Sequence, residues 1–364
     1  MRPTHRALSF ATLACVTAYV GCGGSNANTD PADAAVASSN GLDPKNFIAS
    51  ALTGDITEVE CTLSNGATTT CYRIPIAGKP ADHPVGPFCP RNIADGPEQA
   101  GIWIESGNAY DADGAFIKNL ATFYNDAKWQ LYDEATGAIR VTDTQAACEA
   151  AARPDVDPAY QNHCVECSLD YVNGGIAAEI LIPIHPVVRA TPVEIGGASK
   201  VGVALNGAHF DPPAPVQAIL VAYTIAAFDD CGGHVNPHVG YHYHAATGCS
   251  AEVKQADGHA PLIGYALDGF AMHAMAGEDG VEPKDLDTCR GHTDDERGYH
   301  YHVASAGENM FIGCFRGETV GTATGTGPGG AVTACADVPA GSPCCGDGTC
   351  DGPETTANCA SDCQ

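Results

Sequence analysis

Basic residues are scarce in this chain. Lysine and arginine number 17 against 44 aspartates and glutamates in 364 residues, a formal charge of −27. Nucleic acid needs a basic footprint, so that partner class is excluded. An acidic surface suits a soluble chain that attracts cations. Beyond the N-terminus no apolar run reaches the ~20 residues of a spanning helix. Several catalytic signatures are missing: no G-x-S-x-G, no H-E-x-x-H and no phosphate loop. A formal G-x-G-x-x-G at Gly325 to Gly330 follows no strand and contains Pro328, so it opens no helix. Asp111-Ala112-Asp113-Gly114 lacks the downstream Glu of an EF-hand and reads as a plain turn. Cys164-Val165-Glu166-Cys167 has no second C-x2-C to complete a zinc site. A structural disulfide that includes Cys148 is the simpler reading.

What the chain does have is a stretch that occurs twice. Asp229-Asp230-Cys231-Gly232-Gly233-His234 precedes Gly240-Tyr241-His242-Tyr243-His244 by five residues. Asp287-Thr288-Cys289-Arg290-Gly291-His292 precedes Gly298-Tyr299-His300-Tyr301-His302 at the same spacing. Both read D-x-C-x-G-H-x5-G-Y-H-Y-H, which implies an internally duplicated Cys/His motif. In a strand, alternate side chains share a face, so His242 and His244 point one way and Tyr241 and Tyr243 the other. Imidazoles roughly 6.6 Å apart along a strand can lean onto one metal ion. His234 and His292 enter from the loops ahead of the strands as third ligands. Asp268, between the copies, is a candidate to complete or orient the shell. The identical spacing suggests pseudo-twofold pairing, which would set the two strands side by side and let His242, His244, His300 and His302 share one site.

Eighteen cysteines point to an oxidising compartment. Cys61–Cys71 closes a hairpin, and Cys231–Cys249 and Cys289–Cys314 brace equivalent places in the two copies. The N-terminus has basic Arg2 and Arg6, an apolar Ala7 to Val20, then Gly21-Cys22. It resembles a bacterial lipoprotein signal, which implies removal of residues 1–21 and lipid on Cys22. Gly23, in place of Asp, implies outer-membrane sorting. Free secretion after an ordinary cleaved signal is the alternative.

In chain order, residues 22–45 lack a hydrophobic face and read as a disordered tether. Residues 46–318 form the main domain, mainly β with a few short helices (α+β) and disulfide-rich. Ile56 to Ile76 reads strand, turn, strand around Ser64-Asn65-Gly66. Gly101–Glu105, Glu179–Ile184, Val201–Leu205 and Leu262–Phe270 read as further strands. Phe116–Tyr132 and Gln145–Ala152 carry the helical patterns. Ala218 to Phe228 is an apolar run feeding the first motif copy. Residues 319–343 are a Gly/Thr-rich linker. Residues 344–364 are a small cysteine-rich tail whose acids offer a candidate Ca²⁺ site.

The two Tyr-His-Tyr-His stretches resemble the YHYH domain family. Asp82-His83-Pro84-Val85-Gly86-Pro87-Phe88, Gly202 to Gly207, Cys231 to His234, Leu262 to Phe270 and Ile312 to Gly317 carry the same resemblance, over roughly residues 56–318. It implies no particular activity. The residues themselves favour binding of Cu or Zn through His234, His242, His244, His292, His300 and His302, because imidazole suits both metals. Two alternatives remain. One is a metal-dependent enzyme with an open position at the same site, using Asp268, His273 or a motif tyrosine as acid or base. The other is a structural surface module with a hydrogen-bonded Tyr/His core. The membrane is a partner through the N-terminal lipid, and protein or glycan partners stay open.

Overall fold

Alternation of β-branched and polar residues around a turn at Ser64-Asn65-Gly66 builds the first hairpin. It joins β1 (Thr57–Thr62) to β2 (Thr68–Ile76) in the computed structural model, which describes residues 41–153, 155–195 and 200–321. Cys61 and Cys71 are joined across this hairpin. The leader, Cys22, residues 22–40 of the tether, the linker after residue 321 and the cysteine-rich tail with its Ca²⁺ candidates lie outside the described residues. Leu42 is already buried beside Phe47, so the packed chain includes the last residues assigned to the tether.

Next come β3 (Ile102–Glu105) and β4 (Asn108–Asp111), then α1 (Gly114–Phe123) and α2 (Gln145–Ala151). The acidic turn before α1 is a helix cap: the Asp113 carboxylate accepts from the Phe116 amide at 2.8 Å. α1 stops well short of Tyr132 because Asn125 adopts a left-handed conformation (φ 51°). β5 (Cys164–Val165), β6 (Ala178–Pro183) and β7 (Val188–Glu194) follow. β6 pairs with β2 to make a three-stranded sheet. The C-x2-C cysteines do not pair with each other. Cys164 bonds Cys89, and Cys167 bonds Cys148.

The remaining elements form the centre of the molecule. They are β8 (Gly202–Ala204), β9 (His209–Phe210), α3 (Val216–Val221), β10 (Ile225–Ala226), β11 (Gly233–Asn236), β12 (Gly240–Tyr243), β13 (Leu262–Ala266), β14 (Ala271–His273), β15 (Gly291–Asp294), β16 (Gly298–His302) and β17 (Cys314–Gly317). The apolar run Ala218 to Phe228 does lead into the first motif copy. Its first four residues, 218–221, belong to α3, which starts directly after Pro215. Eight strands make one sheet in the order β11-β12-β9-β8-β13-β14-β16-β15.

That order reads alike from both ends. In each half a short antiparallel pair (β8–β9, β13–β14) turns at Asn206-Gly207 or Asp268-Gly269, where the glycines take φ 85° and 92°. Its second strand pairs in parallel with a Tyr-His-Tyr strand (β12, β16), which in turn pairs with β11 or β15, so His234 and His292 lie on strands opposite His242 and His300 and not on loops. The halves join through β8 and β13, antiparallel.

The two Tyr-His-Tyr-His strands are therefore not side by side, as the spacing had suggested. Each has both edges already hydrogen-bonded, one by its own hairpin partner and one by β9 or β14. Neither has an edge left for the other. Five strand steps at ~4.8 Å put them roughly 24 Å apart. The expected face is as predicted within each half: cross-strand register puts His209 beside His242 and His273 beside His302, while Phe210 lies beside Tyr243 and Met272 beside Tyr301. The tyrosine side forms the larger core with Phe210, Phe270 and Phe311.

All ten described cysteines are paired in five bridges, including Cys231–Cys249 and Cys289–Cys314. The Cys89–Cys164 bridge spans 75 residues and ties β5 to the loop before β3. Replacing both cysteines with alanine is expected to cost about 2–5 kcal/mol, measured by chemical denaturation. An unchanged denaturation midpoint would contradict that role.

Candidate metal centres

The motif residues ahead of each strand have defined mechanical tasks. The Asp229 carboxylate accepts from the amides of Cys231 and Gly233, each at 3.1 Å, and from the Tyr241 hydroxyl at 2.9 Å. Asp287 does the same for Cys289, Gly291 and Tyr299, all at 2.9 Å. These are side-chain-capped turns that also satisfy a buried phenol. The cysteine next to each Asp bolts the turn to a later segment through its disulfide. Gly233 and Gly291 must lack a Cβ, because one there would collide with the Tyr241 or Tyr299 hydroxyl. Gly240 and Gly298 turn the hairpins at φ 77° and 66°. The second tyrosine of each strand is also anchored. Tyr243 accepts from Asn206 at 2.7 Å and contacts the His83 ring nitrogen at 2.6 Å. Tyr301 donates to Asp268 at 2.6 Å and accepts from the Arg316 amide at 2.7 Å.

With the tyrosines fixed on one side, the imidazoles converge on the other. At one end of the sheet His234, His242 and His244 bring ring nitrogens within 4.8 Å of one another. His234 Nε2 and His242 Nε2 are 3.0 Å apart. His242 Nδ1 donates to the Gly240 carbonyl at 3.0 Å and His244 Nδ1 to the Pro212 carbonyl at 2.6 Å. A carbonyl can only accept, so both Nδ1 atoms carry the proton and both Nε2 atoms present bare lone pairs.

At the other end four imidazoles meet, from His259, His292, His300 and His302. His300 Nε2 lies 3.0 Å from His292 Nε2 and 3.1 Å from His259 Nε2. His302 Nε2 is 3.2 Å from His292 Nε2. Every Nδ1 in this group is committed to an acceptor: Ala260 carbonyl for His259, Asp285 carboxylate for His292, Gly298 carbonyl for His300 and Ala274 carbonyl for His302. Four lone pairs thus point at one another. Metal–nitrogen bonds of 2.0–2.1 Å in a tetrahedron would separate such nitrogens by about 3.4 Å, close to the distances seen.

His259 comes from the Asp257-Gly258 turn, outside the repeated motif, so motif spacing did not reveal it. Its loop is held by Arg297, whose guanidinium bridges Asp257 at 2.7 Å and Asp294. His273 packs 5.0 Å from the His300 ring, with Nδ1 on the Ala260 carbonyl at 2.7 Å. His238 sits on the β11–β12 turn, away from the cluster nitrogens. Asp268 joins neither cluster. Its carboxylate holds Tyr301 and the Gly317 amide (2.9 Å) on the tyrosine side, and burial raises its pKa to about 6. A third group, His83 with Cys231 and Cys249, contains two disulfide sulfurs, which are not thiolate ligands.

Burial first, then neighbouring imidazoles, holds His302 down at about 3. Burial also holds His300 at about 4 and His234 and His242 well below the ordinary range. These rings therefore stay neutral, the form that ligates metal, to lower pH than an ordinary histidine, which titrates at ~6.5.

In metal-free protein the sign follows from linkage. Below pH ~6.5 the unfolded chain protonates these histidines while the folded chain does not, so stability falls as pH drops from ~6.5 towards the folded values near 4 and 3. Asp268, Asp229 and Asp230, whose pKa values burial raises, oppose this over the acid half of the window but are outnumbered by the buried histidines. Urea midpoints of metal-stripped protein should decrease from pH 7 to pH 5. A steady or rising midpoint would contradict the burial of neutral imidazoles.

Residues 179–285 fit the family model described as YHYH protein. Neither a curated protein nor a solved structure matches the chain. The matched stretch runs from β6 through the first histidine cluster and past β14, and ends before the second histidine hairpin. This chain carries a domain of the YHYH protein family, with a histidine cluster inside the matched stretch.

Proposed function

We propose that this protein binds two transition-metal ions, Cu or Zn, one at each histidine cluster. The observation that carries the reading is the four-histidine group. Four Nε2 lone pairs face each other at about hydrogen-bond distance, while every Nδ1 proton is used elsewhere. Bare lone pairs repel, and a hydrogen-bonded Tyr/His core would place a proton between at least some of them. A cation removes the repulsion. Imidazole donors suit Cu and Zn, and the carbonyl and carboxylate partners of Nδ1 are the usual orienting groups behind ligating histidines.

The matching order of the two sheet halves supports an internal duplication of hairpin and motif. The domain would take in residues 46–318, since β1–β2 pairs onto β6 and the second hairpin completes the sheet. We further propose export with a lipid on Cys22, as an outer-membrane lipoprotein of the cell envelope. Five disulfides among the described residues support an oxidising compartment. The histidine clusters would then act in metal capture, storage or reaction at the cell envelope.

Metal analysis of the purified protein should give two equivalents per chain. His242→Ala and His300→Ala should each remove one equivalent and leave the other, because the clusters share no ligand. Asp268→Asn should leave both. Loss of metal from Asp268→Asn, or full metal content in a His242→Ala/His300→Ala protein, would refute this assignment.

A further inference from the structure

The two clusters differ in what surrounds them. The four-histidine group supplies a full tetrahedral set and has His273 packed against it. The other supplies three nitrogens. Its three imidazoles form part of the wall of a cavity of about 240 Å³, to which Arg153 and Glu166 add charge and whose remaining wall is mostly apolar, with Phe88, Val165, Ala218 and Ile219. Asp211 lines the same cavity. It is 8 % exposed, its Oδ2 pairs with Lys200 Nζ at 2.7 Å, and its Oδ1 has no hydrogen-bond partner. A buried carboxylate oxygen left without a donor is costly. The residue after it, Pro212, is the one whose carbonyl orients His244.

We propose that the three-histidine centre is the ligand-binding one and the four-histidine centre is structural. Closed four-ligand shells hold folds together, whereas three protein ligands leave a position for an incoming donor atom. This rests on the metal-binding reading above. The incoming molecule is small and mainly apolar. It presents one nitrogen or oxygen lone pair to the metal, fills the cavity with its apolar body, and offers an N–H or O–H to Asp211 Oδ1. A cavity of this volume admits a molecule the size of a single substituted aromatic ring. The matching region of the other half differs for a readable reason. After Asn206-Gly207 come His209, opposite His242, and Asp211, whereas after Asp268-Gly269 the matching positions are Ala271 and His273, the latter opposite His302, so the carboxylate of the first half is replaced by an imidazole in the second.

The test uses the full mature chain loaded with Co²⁺, whose visible absorption reports coordination, and phenylimidazole and imidazole as probes. Phenylimidazole should change the spectrum of one of two bound Co²⁺ ions and bind at least about tenfold more tightly than imidazole, because its ring is buried. Ala218→Trp, a half-buried cavity-wall position on α3, should keep both Co²⁺ ions and abolish that preference. Two bound ions with no response to either probe would overturn the open position while leaving metal binding intact. Failure to bind Co²⁺ at all would overturn both readings. An unchanged preference in Ala218→Trp would overturn the role of the cavity. Release of one Co²⁺ from Asp211→Asn would make that carboxylate the fourth ligand, and would overturn it too.

Discussion

Backbone carbonyls decide the chemistry of this protein. The Gly240 and Gly298 carbonyls each take the Nδ1 proton of the histidine two residues on in the same strand, and Pro212 and Ala274 take that of the next histidine. Once those protons are committed, each ring has one lone pair to offer, on Nε2, and the strand geometry aims these atoms together. Burial adds to this by keeping the rings neutral. The result is an array that repels itself unless a cation enters. The stiffness needed to hold it comes from the opposite side of the strands, where Asp229, Asp287, Asn206 and Asp268 fix the four tyrosine hydroxyls. Disulfides next to two of those acids keep the turns from relaxing.

The same strand plan at both ends of one sheet supports two sites with different neighbours. One end is closed by a loop that brings in His259 and is clasped by Arg297. The other is left at three nitrogens, beside a cavity walled by α3 and the segment around β5. The fourth nitrogen of the one end comes from His259, outside the repeat, and the matching positions Asp211 and His273 give the two ends different neighbours.

Much of this was legible in the sequence because the motif is dense and periodic. Alternation of Tyr and His fixed the faces, and the cysteine beside each motif pointed to its disulfide, but the earlier histidines read as loop residues and their place on β11 and β15 was not legible. The relative placement of the two copies was not legible. It depends on which strand takes the free edge of each hairpin, and β9 and β14 are two or three residues long, too short to leave a strong pattern. His259 escaped for a related reason: it arrives from a turn, where no periodicity marks a ligand. Asp268 misled because its position between the copies looked central. It is central, but to the tyrosine side, as the counterpart of Asn206. α3 was hidden in an apolar run whose length alone did not separate helix from strand.

The central claim is that the converging Nε2 atoms surround cations. Anomalous X-ray diffraction from crystals of the protein loaded with Zn²⁺, collected on both sides of the zinc edge, tests it most directly. The account predicts two zinc peaks per chain, roughly 24 Å apart, one bonded to Nε2 of His259, His292, His300 and His302 and the other to Nε2 of His234, His242 and His244. A map with no zinc peak within bonding distance of these nitrogens would contradict it.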